Sequence, residues 1–365
     1  INEFSDVFSE TLGTYKGPPV SLPVDPNATP RRFKARNVPL AIRAKIEDEI
    51  DRLTKEGVLE PINNPRWSTP VVPIIKSTGH IRLCGDYKVT VNRALPEYPY
   101  PIPSVQHLLS TLVGGNYFAK LDMAQAYLQL PVTEESAEAQ TIITHRGAFK
   151  VKRLQFGISV APGIFQQVME DLLDNMEGVT PYFDDILIYA PSLEVLSRKL
   201  RDVLQRFRDV GLRAKKEKCI FGVKSIDFLG YRIDASGLHP SQEKLAAIQD
   251  AKTPENKTEL QAFLGLLNFY NSFLKGKADV AEPLHRLLDK GSTWKWTKHH
   301  DKCFQSVKKL LTSDSVLHPF DPKLPTTLTC DASPFGVGAV LSQTSNEGKE
   351  VPIAFASRTL TSAER

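Results

Sequence analysis

Cysteine is scarce in this chain: four in 365 residues, at Cys84, Cys219, Cys303 and Cys330, with no short paired spacing. That argues against a disulfide framework and against a zinc site, and makes a reduced, intracellular protein the expectation. Long apolar runs are missing too. The longest, such as GISVAPGIF, are cut by Pro and Gly, well short of the ~18 residues a membrane span needs. The N-terminus INEFSDVFSE is acidic and polar and lacks the basic-then-apolar order of a signal peptide. It opens on Ile rather than Met, so a piece excised from a longer chain is expected. A dominant charge is also absent. Lys and Arg number 46 against 42 Asp and Glu, a net +4, below the footprint of a small nucleic-acid-binding domain. Overall charge decides nothing about partners.

What is present is an ordinary globular composition, 41% hydrophobic and 24% charged, over a length that suits two or three domains. Two local basic runs stand out, Arg31, Arg32, Lys34 and Arg36, then Arg213, Lys215, Lys216 and Lys218. Most such runs are merely solvated faces, so they hint only weakly at a polyanion. Six prolines between Pro18 and Pro39 predict an extended arm rather than helix. Pro39 sits where a first-turn proline belongs, and Ile42, Ile46, Ile50 and Leu53 predict an amphipathic helix stopped by Gly57. TPVVPIIKSTGHIRLCGDY reads as two strands around a turn at Ser77–His80. After a second proline-rich connector, Ser104 can cap a short helix that stops at Gly114–Gly115. NYFAKLDM reads as a strand ending at Asp122. Residues 161–176 and 193–210 read as helices, PYFDDILIYA as a hairpin, and FGVKSIDFLGYRID as β with Gly230 inside it. From about residue 239 three helices are expected, one opened by a capping box at Asn256 and Glu259. Beyond Pro325 the chain turns β-rich again.

Asp184 and Asp185 are the most informative pair. They fall at the bend of an apolar hairpin, where a two-residue turn favours Asn-Gly or Asp-Gly. Two adjacent carboxylates raise each other's pKa unless a cation compensates. An exposed Asx-type turn is the plainer alternative. Asp122, ending a second apolar strand, reads alone as a strand-end acid or helix cap. Together the three carboxylates suit two Mg²⁺ ions about 3.5–4 Å apart, the arrangement of phosphoryl and nucleotidyl transfer.

These residues sit within a series of motifs that resembles the reverse transcriptases of Ty3/gypsy-type LTR retrotransposons. In order they are KSTGHIRLCGDYKVTVN, KLDMAQAYLQL, RLQFGISVAPGIFQQVM, YFDDILIY, GLRAKKEKCIFG, DFLGYRI, ELQAFLGLLNFY and CDASPFGVGAVLS. The likeness runs from about Val20 to Arg365. It implies an α+β right-hand polymerase with a ferredoxin-like palm, followed by a truncated ribonuclease H-like unit. The implied division is an N-terminal arm over 1–35, fingers and palm over 36–238, a helical thumb or connection over 239–315, and the ribonuclease H start over 316–365. The implied activity is RNA- and DNA-directed DNA synthesis from a primer.

By that resemblance Asp122, Asp184 and Asp185 bind two Mg²⁺ ions, which Mn²⁺ can replace, with the Met123 carbonyl as a further ligand. Lys76, Arg82, the backbone of Gln125 and Ala126, Tyr127, Phe156 and Gly157 form the dNTP site, Tyr127 as the aromatic gate that excludes a 2′-hydroxyl. Phe228, Leu229, Gly230 and Tyr231 form the primer grip, and Lys218 is a candidate general acid for pyrophosphate. On local chemistry alone Tyr127 reads as a core aromatic and Lys76 and Arg82 as surface cations, while Lys218 suits a solvated helix end equally well. Asp331 matches the first ribonuclease H carboxylate. The further acids lie beyond this chain, so RNA cleavage is expected to be absent.

Implied partners are an RNA or DNA template-primer duplex, dNTPs and the other Pol domains of a polyprotein, with a homodimer possible, no membrane, and a cytoplasmic retroelement particle as the location. Three positions depart from the family pattern. Gln155 replaces the proline of Leu-Pro-Phe-Gly, which should loosen a bend beside the nucleotide pocket. Ser77 replaces a lysine, and Phe183 an aliphatic residue. A decayed or co-opted nucleic-acid binder is the alternative reading. A nucleotide cyclase is disfavoured because it has no use for the fingers cations, primer grip or thumb helices.

Overall fold

The computed structural model describes residues 2–75, 79–110, 112, 114–311, 315–345, 348–361 and 364, with residues 106 and 110 described by backbone alone. Contacts divide the chain into two units. One comprises Ile1–Ile102, Ala119–Ile188 and Glu194–Phe221; the other comprises Pro103–Phe118, Tyr189–Leu193 and Gly222–Arg365.

In chain order the first element after the arm is helix α1 (Leu40–Lys55), which buries Ile46, Ile50 and Leu53 on one face. Pro39 occupies the N-cap, one position before the expected first turn, and Gly57 ends the helix at φ +69°. Strands β1 (Leu59–Ile62), β2 (Thr69–Ile75) and β3 (Ile81–Gly85) follow, then the short helix α2 (Val105–Ser110). The Ser104 hydroxyl accepts the His107 N–H at 3.2 Å, as the capping reading requires. After β4 (Tyr117–Asp122) come α3 (Glu134–Ala139), β5 (Ile142–Thr144) and β6 (Gly147–Val151). A five-stranded sheet forms in the order β1-β6-β5-β2-β3, and β2 and β3 pair antiparallel as expected. The proline-rich arm is extended and bridges into the first unit at Val20↔Val132 and Arg32↔Ser68.

Helix α4 (Ala161–Leu172) is shorter than the expected 161–176 because Asn175 turns left-handed at φ +61°. It leads into β7 (Val179–Tyr182), β8 (Asp185–Ala190), helix α5 (Leu193–Val210) and β9 (Ile220–Val223). The four-stranded sheet has the order β7-β8-β4-β9. With α4 and α5 as the connections, this is the split β-α-β of a ferredoxin-like palm.

The stretch read as β with Gly230 inside it folds back as a hairpin at that glycine. Strands β10 (Ser225–Phe228) and β11 (Tyr231–Asp234) pair antiparallel, with Phe228 opposite Tyr231. Leu229 and Gly230 connect them at φ +51° and +84°, as in a type I′ turn. Strand β12 (Gly237–Pro240) completes a three-stranded sheet. Helices α6 (Gln242–Gln249), α7 (Lys257–Phe269), α8 (Lys277–Arg286) and α9 (Lys298–Leu310) follow. Asn256 caps α7 by accepting the Glu259 N–H at 3.0 Å. Helix α8 was not foreseen, since Gly276 at its start and Pro283 inside it break the periodic pattern. Strands β13 (Thr326–Ala332), β14 (Gly336–Thr344) and β15 (Glu350–Thr359) form a final antiparallel sheet. Among the described residues no helix is long and apolar enough to cross a membrane.

Candidate active site

The ends of β4 and β8 are stitched together at the level of the three aspartates. Strand β4 buries Phe118, Ala119 and Leu121 and delivers Asp122 at its tip. The next residue, Met123, donates its N–H to the Asp184 carbonyl at 2.9 Å, and the Lys215 N–H donates to the Asp122 carbonyl at 2.8 Å. In the β7/β8 hairpin Tyr182 pairs with Asp185, so the two-residue connection is Phe183–Asp184. The bend therefore lies one residue earlier than the sequence suggested. Its positive φ, +49°, falls on Phe183.

Burial dominates the electrostatics. It pushes the Asp184 carboxyl up to about 6, helped by the neighbouring charges of Asp122 and Asp185, while Lys218 and Arg82 pull the other way. Asp185 is raised as well, chiefly by burial and secondarily by Asp122, with Lys120 and Lys218 opposing. Asp184 Oδ1 is buried with no hydrogen-bond partner. Lys218, on a short 3₁₀ turn, places its Nζ 3.1 Å from Asp122 Oδ2.

Among the described residues no three His, Cys, Asp or Glu side chains converge into a metal cage made by protein alone. The donor set nevertheless fits a hard divalent cation. It offers carboxylate oxygens with an orphaned one among them, a mutual repulsion that a cation relieves, and room for substrate oxygens to complete the shell.

A cleft of about 590 Å³ opens over this floor and brings Arg82, Gln125, Phe156 and Lys218 together with Asp122, Met123 and Asp184. Phe8, Ser9 and Glu10 of the arm line it too, which nothing in their sequence signalled; Phe8 is held edge-on against Phe221. Gln125 is left-handed (φ +50°) and Ala126 opens the 3₁₀ turn Ala126–Gln129. This alternation of hand turns successive N–H groups toward one side, the geometry of an anion nest. Tyr127 packs on Phe156 and Phe165 with centroids 4.8 and 5.2 Å away, and burial pushes its hydroxyl up to about 12. The Arg82 guanidinium lies 4.9 Å from the Phe156 ring centroid. Gly157 holds φ +88°, and its carbonyl accepts from Asn92 Nδ2 at 2.8 Å. Lys76 and Ser77 lie outside the described residues.

Three fully buried glutamines that the motifs did not single out brace these loops. Gln129 Nε2 donates to the Ala124 and Arg213 carbonyls at 2.6 and 2.9 Å, and its Oε1 accepts the Arg213 N–H at 2.7 Å. Gln140 Oε1 accepts the Gln155 N–H at 3.1 Å. Gln166 Oε1 accepts the Phe183 N–H at 2.7 Å. In sequence each looks like one more polar residue beside a motif.

The second unit carries the remaining candidates. Phe228 and Tyr231 are buried, and the Leu229–Gly230 turn between them is fixed by the Tyr270 hydroxyl donating to the Gly230 carbonyl at 2.5 Å. Tyr231 stacks on Phe269 and Phe273, at 5.3 and 5.9 Å, and meets Tyr270 edge-on. Asp331 stands exposed on β13, opposite Gly338 of β14.

Two family models match the chain. Residues 74–233 match "Reverse transcriptase (RNA-dependent DNA polymerase)", and residues 296–365 match "RNase H-like domain found in reverse transcriptase". Helix α9 therefore lies within the second match. The chain is 32% identical over 372 aligned positions to the Transposon Tf2-3 polyprotein of Schizosaccharomyces pombe, covering 99% of this chain and 28% of that one. It spans between 22% and 28% of the first curated relatives it matches. Among solved structures, a foamy viral protease-reverse transcriptase in complex with double-stranded DNA superposes with a TM-score of 0.90 at 25% identity. That match covers all of this chain and 64% of the other. The same viral protein with an RNA/DNA hybrid gives 0.85 at 25% identity, over all of this chain and 49% of that one.

Proposed function

Because the chain belongs to the Ty3/gypsy-type reverse transcriptases and carries the start of their RNase H-like domain, we propose that it extends a primer 3′ end on RNA and DNA templates by two-metal nucleotidyl transfer. The observation that carries this reading is the floor of the cleft, where half-buried, mutually repelling aspartates with a buried, unpartnered Asp184 oxygen face the cations Arg82 and Lys218.

Asp122, Asp184 and Asp185, with the Met123 carbonyl, would hold Mg²⁺ or Mn²⁺. Bound there, the ions would acidify the primer hydroxyl and carry charge on the triphosphate and the departing pyrophosphate. Arg82 presents a planar fork to the triphosphate, Lys76 a point charge, and Gln125 and Ala126 their N–H groups. Phe156 and Gly157 back the base, and Tyr127 lies beneath the sugar. Lys218 gives a proton to pyrophosphate as it leaves. In the second unit Phe228 to Tyr231 grip the primer terminus. The duplex is held by phosphate contacts, so its affinity falls with salt and is largely indifferent to sequence. Asp331 would supply one carboxylate of a ribonuclease H site. We place the chain in a Pol polyprotein of a cytoplasmic retroelement particle, as monomer or homodimer.

The test is extension of a labelled DNA primer on an RNA template with dNTPs and Mg²⁺. Extension should stop on chelation and return with Mn²⁺. A chain that binds the primed duplex yet adds no nucleotide would be a nucleic-acid binder, and the enzyme reading would be lost. Tyr127→Val is expected to narrow the preference for dNTPs over rNTPs at least tenfold in single-nucleotide incorporation. An unchanged ratio would return Tyr127 to the role of a core aromatic.

A further inference from the structure

We propose that Gln166 is a positioning residue whose buried amide fixes the left-handed turn presenting Asp184 and Asp185 to the divalent ions. The kinetic part of this inference rests on the polymerase reading above; the structural part does not.

The turn needs a brace. Phe183 has φ +49°, a region that a residue with a Cβ avoids and that Gly or Asn ordinarily fills. Neither is present between Tyr182 and Asp185. Gln166, at the middle of α4 and 0% exposed, grips both sides of the bend. Its Oε1 accepts the Phe183 N–H at 2.7 Å, and its Nε2 donates to the Pro181 carbonyl at 2.9 Å.

The amide cannot rotate out of this arrangement. Nε2 also donates to Glu170 Oε1 at 2.6 Å, and the other Glu170 oxygen takes the Tyr100 hydroxyl. A flipped amide would set its nitrogen against the Phe183 N–H and its oxygen against the Glu170 carboxylate, unfavourable at both ends. A relay from Tyr100 through Glu170 and Gln166 therefore ends on the backbone directly before Asp184. A side chain placed this way sets where the carboxylates stand and touches no reacting atom.

The experiment starts with the unaltered protein, by backbone amide hydrogen exchange. Phe183 should be protected at least a thousandfold despite sitting in a turn, and weak protection there would overturn the proposal before any variant is made. Gln166→Met keeps the volume and removes the amide. It should speed exchange at Phe183 about a hundredfold while the amides of Ile164 and Met169 in α4 hold. Mn²⁺ binding, read by water-proton relaxation, should weaken about tenfold. The single-turnover rate should drop ten- to a hundredfold with dNTP half-saturation within twofold. Adding Phe183→Gly, which takes positive φ without strain, should recover part of that loss. Faster exchange spread evenly over α4, or no recovery with glycine, would leave Gln166 a packing residue. Should the unaltered chain synthesise no DNA, exchange and Mn²⁺ binding still decide the question separately from the polymerase reading.

Discussion

Asp184→Asn is expected to yield a protein that is more stable than its parent and inactive. The carboxyl sits at about 6 in the fold against an ordinary 3.8, first because it is buried and then because Asp122 and Asp185 face it. A group raised in this way contributes stability that is fully present below about pH 3.8 and is lost as pH rises through about 6. At pH 7 the parent therefore carries an ionised carboxylate that the fold disfavours by on the order of 1–3 kcal/mol. Asparagine does not titrate, so the variant's advantage in denaturant or thermal melts should be absent at pH 3.5 and reach full size by pH 7. Mg²⁺ should raise the melting temperature of the parent and do less for the variant, because cation binding relieves the same repulsion. Primer extension should fall at least a thousandfold, with duplex affinity within about threefold because phosphate contacts carry that affinity. Asp185→Asn should be equally inactive with a smaller gain in stability, since Lys120 already offsets part of its charge. Residual synthesis above a tenth of the parent rate, or an advantage that is the same at pH 3.5 and 7, would remove these carboxylates from the assigned role.

How much of this site was legible in the sequence depends on the distance over which each residue acts. Asp122 and the Asp184–Asp185 pair were readable because each ends or opens an apolar run, and strand alternation places such residues by local pattern alone. The order of β4, α4, the β7/β8 hairpin, α5 and β9 was equally legible from local pattern, whereas their assembly into a ferredoxin-like palm was given only by the family resemblance. The turns were not legible. Nothing local marks Phe183 as left-handed, and the Leu229–Gly230 turn was read as strand because its flanks alternate without a break. The bracing glutamines were out of reach for another reason. Gln129 and Arg213 are 84 residues apart, Gln166 and Phe183 17 apart, and an interior amide has no signature until the backbone it satisfies is in place. Burying such a group without partners is unfavourable, so each of the three marks a loop that the fold must hold still.

That reasoning reverses the expectation for Gln155. Judged against the Leu-Pro-Phe-Gly pattern, the missing proline should loosen the bend before Phe156, and Gln155→Pro should restore it. The structure gives the position a different brace. The Gln155 N–H donates to Gln140 Oε1 at 3.1 Å, while Gln140 Nε2 reaches the Val151 and Arg153 carbonyls at 3.2 and 3.3 Å. Proline has no N–H, so the substitution would leave a fully buried amide oxygen without its donor, at about 1–3 kcal/mol. The entropy that proline removes from the unfolded chain returns only about 0.4–1 kcal/mol. Gln155→Pro is therefore expected to lower stability and to slow incorporation five- to fiftyfold, because Phe156 and Gly157 follow directly and Arg82 lies over the Phe156 ring. Pairing it with Gln140→Leu isolates the cause. With the acceptor gone, proline should be nearly neutral on that background, a coupling that a double-mutant cycle reads from melts and single-turnover rates. A Gln155→Pro protein that is more stable and faster than its parent would show that the family's proline, and not the Gln140 amide, is what this bend requires.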